Sequence, residues 1–308
     1  MERLSRSALL ALIAALALAA CGGDSSGPAS RPVTTASTSE PGAPQATGNT
    51  ATDGFNWFNY RRQQAGLSGL SRNAIVDAAA QGHSEYQRVN DVITHIQDRA
   101  KPGFTGVDVG DRLVAAGYQF RSSYAYGEVL SATSDSSGFH AAEDLIAAIY
   151  HRFVIFEPVF RQAGTGSATV TRGATYFTAN FVTDRLEGLG EGKLVTYPFG
   201  GQQRVPRNFF SDHEVPDPVP SRNEVGYPVS VHADITTTIG VQSFTIRPRG
   251  GAALPVLLLR RATDPETPAS AAAIVPLDPL DGGTTYEVRF TGTVNGTAVD
   301  REWTFTTQ

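Results

Sequence analysis

The chain has 308 residues, with 25 Lys plus Arg against 30 Asp plus Glu, a formal net charge of −5, six His and a single Cys. Charges are interspersed and no basic cluster stands beyond the first residues, so the chain offers no electrostatic footprint for nucleic acid. One Cys excludes an internal disulfide, and the length favours two domains, each relying on a buried core. In chain order, Arg3 and Arg6 precede an apolar run over residues 8–20 that ends in small residues before Cys21. This is the pattern of a secretory signal, and the run is short of the roughly 20 apolar residues that span a bilayer.

Leu18-Ala19-Ala20-Cys21 resembles the bacterial lipobox. The resemblance implies residues 1–20 as a lipoprotein signal peptide and Cys21 as the lipidation site and first mature residue. Two or three acyl chains, at about 0.8 kcal/mol per buried methylene, would then hold the protein to the membrane of the cell envelope. Residues 21–53 are Ser, Thr, Pro, Ala and Gly with few large apolar side chains. That composition reads as a disordered tether with a span of about 30 Å.

A first folded region is expected over residues 54–185. Residues 55–64 form a plausible helix, and Asn73 is placed to cap a second in which Ile75, Ala78, Ala79, Tyr86 and Val89 fall near helical spacing. A short third helix is expected over 111–116, ended by Gly117, and a fourth over 141–150 with Leu145, Ile146 and Ile149 on its apolar face. Two β-branched and aromatic runs, 167–170 and 175–182, are separated by four turn-forming residues and read as a hairpin. Helices followed by a hairpin point to an α+β layer.

Within this region stand His83-Ser84-Glu85, then His95, Gly103-Phe104-Thr105-Gly106, Asp111-Arg112, Ala116-Gly117-Tyr118 and Tyr126-Gly127-Glu128-Val129. Tyr150-His151-Arg152 then leads through Pro158-Val159-Phe160 to Gly164-Thr165-Gly166. Their order resembles the CAP superfamily of cysteine-rich secretory, venom-antigen and pathogenesis-related proteins. The resemblance implies a CAP-type α-β-α sandwich with His95, Glu128 and His151 in one ligand cleft. Some family members bind a divalent metal in that cleft, and others bind lipid or sterol. Val129 departs from the family's frequent Asn, and Ala147 and Ala148 stand where a second glutamate is expected, leaving His140 or Asp144 as substitutes.

Two imidazoles and a carboxylate supply the three protein ligands of a zinc-like ion with a place for water. They also make a buried hydrogen-bond network that pins helices to a sheet. His83 is expected to be structural. Within the regions expected to fold, the sequence shows no Gly-x-Ser-x-Gly elbow and no His-Glu-x-x-His pair. Catalysis would therefore rest on the His/Glu cleft alone, as in a metal-dependent hydrolase acting on envelope or host material.

Residues 186–220, punctuated by Pro198, Pro206, Pro216, Pro218 and Pro220, read as a stiff connector. Residues 221–308 carry six strand-like runs, 228–235, 241–247, 254–259, 273–277, 285–294 and 298–306, the pattern of a β-sandwich. Asn295-Gly296 supplies the positive φ values of a type I′ hairpin turn. The last quarter resembles bacterial Ig-like domains, so the fold class is α+β followed by an all-β sandwich. Three functions are carried forward: an extracytoplasmic CAP module binding lipid, sterol or a divalent metal; the metal-dependent hydrolase; and a structural or adhesive surface protein meeting an envelope or host partner through the Ig-like domain.

Overall fold

The computed structural model describes residues 40–308 apart from Ser122 and Arg172, so the signal segment, Cys21 and residues 21–39 of the tether lie outside the described residues. The first helix, α1 (Thr50–Gln64), starts before the expected Phe55 because the Asn49 side chain accepts from Thr52 N. Asp53 in its first turn is buried and accepts from Thr47 N, Thr47 Oγ1 and Gly48 N. Glu40 pairs with Arg61 at 2.6 Å. Residues 40–53, read as tether, are thus held against the domain by carboxylates, which a count of apolar residues does not register.

After β1 (Ser71–Arg72), helix α2 (Ala74–Asn90) is capped by Asn73 as expected and ends at Asp91 in the left-handed region (φ 51°). Helix α3 (Val109–Ala115) is capped by Asp108 and followed by Gly117 at φ 101°. Strand β2 (Ala125–Thr133) was not anticipated as a strand. It is buried on both faces along its first six residues, which removes the alternation that marks a half-exposed strand.

The single helix expected over 141–150 is two, α4 (Gly138–Ala147) and α5 (Ile149–Ile155). They meet at Ala148, whose φ −67° and ψ 117° are extended. Strands β3 (Gln162–Thr169) and β4 (Thr175–Thr183) form the expected hairpin, in a sheet of order β1-β3-β4-β2.

One face of this sheet, with Ala125, Val129, Phe177 and Phe181, packs on α1, α4 and α5. The other, with Tyr126 and Val182, packs on Val76 and Ala79 of α2 and Leu113 of α3. The unit is therefore an α-β-α sandwich. Gly164 and Gly166 let α2 lie directly on β3: a Cβ at these positions would stand 2.1 Å from Asp77 N and 2.3 Å from Gln81 N.

All six C-terminal runs are strands. Strands β8 (Val229–His232), β10 (Val256–Arg260) and β11 (Ala271–Pro276) join β5 (Val195–Tyr197) in the order β10-β11-β8-β5. Strands β9 (Ile239–Pro248), β12 (Thr285–Val294) and β13 (Thr297–Thr306) form a second antiparallel sheet, and β6 (Asn208–Phe210) pairs with β7 (Glu224–Gly226). Asn295 (φ 50°) and Gly296 (φ 82°) turn β12 into β13 with Val294 opposite Thr297.

Residues 186–220 do not behave as a spacer. They contribute β5 and β6 and bury Tyr197, Val205, Phe209 and Val219 in a core continuous with that of α1, α4 and α5. At the junction the fully buried Arg152 donates to Pro228 O at 2.6 Å, and its guanidinium lies 5.0 and 4.8 Å from the Tyr197 and Tyr227 ring centres. Phe156 packs on Tyr197 and His232. The prolines were legible; the apolar residues between them follow no period, so their burial was not.

Candidate functional site

The loop after α2 carries His95, α3 carries Arg112 and β2 carries Glu128 on the sheet face that α2 and α3 cover. Glu128 Oε1 accepts from His95 Nδ1 at 2.9 Å, and Arg112 Nη2 reaches both carboxylate oxygens at 2.7 and 2.8 Å. Arg112 Nη1 also donates to His95 O at 2.9 Å, fixing the loop. Burial alone would raise the Glu128 pKa; Arg112, with His83 and His95, overcomes this and holds it at about 2.

His83 lies 3.8 Å from Glu128 Oε1, yet the two are not an ion pair. Burial lowers the His83 pKa to about 4, and both ring nitrogens are otherwise engaged: Nε2 donates to Thr94 O and Nδ1 accepts from Gln97 Nε2. A neutral, fully bonded ring fits the structural role expected of it.

His151 stands at the start of α5, with a partner that the sequence reading missed. Glu214 Oε1 accepts from Tyr150 N at 2.6 Å, His151 N at 3.0 Å and His151 Nδ1 at 2.9 Å. It occupies the place of a helix cap and so starts α5 as a helix separate from α4. Glu214 sits 63 residues along the chain from His151, within the segment read as spacer, and a lone acid between prolines carries no periodic or motif signal.

His95 and His151 line one cavity of about 390 Å³, whereas Glu128 lies behind His95 and not on its wall. Ile93, Leu130 and Phe209 supply apolar surface, and His140, Asp144 and Asp212 supply polar surface. His140 is held between Asp144 at 3.0 Å and Asp135 at 2.7 Å, and the bond to Asp144, against the opposing effect of burial, raises its pKa to about 9. It is a paired imidazolium. Glu143, one residue before Asp144, faces α1 instead and takes bonds from Trp57 and from Arg61.

The zinc set expected from His95, Glu128 and His151 does not fit this geometry. Glu128 is occupied by a guanidinium, whose positive charge opposes a dication at the same oxygens, and it lies outside the cavity. His95 and His151 each spend Nδ1 on a carboxylate, leaving one nitrogen apiece, fewer than the three protein ligands of a catalytic zinc site. Among the described residues no group of three or more His, Cys, Asp or Glu is arranged to hold a metal ion. The Glu128–Arg112–His95 part is a buried hydrogen-bond network, the other arrangement that the sequence allowed.

Residues 55–181 match the family described as CAP, the cysteine-rich secretory protein family. Among solved structures, the chain is similar to an extracellular protein containing an SCP domain from Bacillus anthracis, at 25% identity and TM-score 0.36, over 43% of this chain and 40% of that one. The chain thus spans about two fifths of that relative's length. An outer surface protein of Borrelia burgdorferi is similar at 14% identity and TM-score 0.35, over 42% of this chain and 90% of that one. No curated protein matches the chain. No helix among the described residues is long and apolar enough to cross a membrane.

Proposed function

With residues 55–181 forming a CAP domain, we propose that the protein is an exported lipoprotein, anchored through Cys21 to the cell envelope, whose cleft binds an amphipathic ligand of the lipid or sterol class. The cavity carries this reading. Its volume of about 390 Å³ lies in the range of small-molecule sites, and it combines Ile93, Leu130 and Phe209 with the polar rings of His95 and His151. Such a lining suits a molecule with an apolar body and a polar end. The ligand-binding reading needs no metal and no nucleophile. The C-terminal sandwich is read as an Ig-like module that displays the domain, and residues 208–215, which lead into it, form part of the cleft wall.

The test is displacement of the neutral dye Nile red by lipid extracted from bacterial membranes, using the full chain with Cys21→Ser to prevent acylation. Saturable dye binding, lost when Ala132→Trp fills the half-buried wall of the cavity, is the expected result. Equal binding by both proteins would place the dye elsewhere and refute the reading.

A further inference from the structure

The cleft is built from both units. Phe209, Phe210, Asp212, His213 and Val215, all beyond the segment 55–181, line it together with Leu130 of β2. Glu214 stands between these wall residues but is 1% exposed, turned onto α5. Its bonds to Tyr150 N and His151 N tie the wall to the helix, and its bond to His151 Nδ1 sets the chemistry of that ring. Glu214 Oε1 already accepts from two backbone N–H groups, so it is the acceptor toward the ring as well and Nδ1 carries the proton. In the neutral ring Nε2 is then a hydrogen-bond acceptor. His95 is set in the same way by Glu128.

The charges around the cavity point in one direction. Among the described residues no Lys or Arg lines it. The His140 imidazolium is already shared by two aspartates, and Asp212, 3.8 Å from His213 Nε2, adds a further carboxylate. An anionic head group would meet these carboxylates with no Lys or Arg among the described lining residues to offset them, whereas a hydroxyl meets acceptors.

We propose that Glu214 is a positioning residue that fixes His151 as an acceptor, and that the composite cleft takes an uncharged amphiphile bearing a hydroxyl in preference to an anionic one. The preference rests on the cleft being an amphiphile site; the role of Glu214 does not.

The experiment uses the full chain with Cys21→Ser and has two arms. In the first, nitrogen NMR of the His151 ring at pH 8 is expected to show Nδ1 protonated and Nε2 bare. Glu214→Ala, with folding checked by circular dichroism, should scramble the tautomers, and Glu214→Gln, which keeps an acceptor oxygen, should restore them in part. An unprotonated Nδ1 in the unsubstituted cleft, or tautomers indifferent to Glu214→Ala, would overturn the positioning role.

In the second arm, 1-decanol and decanoate are titrated calorimetrically. Decanol should bind about tenfold more tightly or better, and Glu214→Ala should weaken decanol about tenfold, the order of one oriented hydrogen bond. Decanoate binding as well as decanol would overturn the selectivity. Absence of binding by either probe would overturn the amphiphile reading itself, with the first arm still deciding the role of Glu214.

Discussion

Replacing Arg152 by Met tests whether the two units fold as one body. The guanidinium donates to Ile146 O and Pro228 O, both at 2.6 Å, one acceptor on each side of the junction, and lies between Tyr197 and Tyr227. Two charge-assisted bonds at about 1.5–3 kcal/mol each and two desolvated cation–π contacts at about 1 kcal/mol each give a gross loss of about 5–8 kcal/mol. Removing a buried charge returns several kcal/mol of desolvation, and Met fills part of the space, so the net cost is about 3 kcal/mol. For a folded body of this size that corresponds to a fall in Tm of roughly 6–12 °C. The assay is thermal unfolding followed by helical circular dichroism, which reports α1 to α5, together with hydrogen exchange in β12 and β13. Both signals are expected to move together. A fall below about 3 °C, or destabilised helices with unchanged exchange in the sandwich, would refute the shared core, since coupled elements lose stability jointly.

Three further outcomes follow from the site and the junction. Burial raises the pKa of Glu157 to about 8, so between about pH 4.5 and 8 the unfolded chain is ionised while the folded one is not, and stability falls as pH rises through that window. Glu157→Gln, which keeps an acceptor for Val159 N and Ile235 N, should gain stability over the native residue from pH 5 to pH 8 in urea titrations; a constant difference would contradict this. Glu128 has the opposite sign: its stabilisation is present above about pH 4.5 and is lost as pH falls toward about 2. Glu128→Gln should cost about 3–5 kcal/mol at pH 7 by leaving Arg112 buried without its counter-charge, and much less at pH 3; an equal cost at both would contradict the pairing. Zinc calorimetry should show no saturable high-affinity site, and a chelator should leave Tm unchanged. A site abolished by both His151→Ala and Glu128→Ala would reinstate the three-ligand set.

Much of the first unit was legible because its signals are local. Asn73 caps α2 and Gly117 ends α3 through bonds within a few residues, and Asn295-Gly296 turns a hairpin through its own φ values. What was hidden depends on distant partners. Helix α5 exists apart from α4 because Glu214 takes its first N–H groups, and no window around Ala148 contains that carboxylate. Strand β2 is buried on both faces, so it carries no alternation. His95 and His151 do share a cavity, but each answers to its own acid, Glu128 and Glu214, and the Arg112 that occupies Glu128 was legible as a residue without being legible as its partner.

The most direct test of a ligand cleft made by both units is photocrosslinking with a ten-carbon alcohol bearing a diazirine at its far end, with labelled peptides mapped by mass spectrometry. The account predicts labels on the Ile93 loop or β2 and also on residues 208–215, with unlabelled 1-decanol competing at both. Labels confined to the sandwich surface, or scattered without competition, would contradict it.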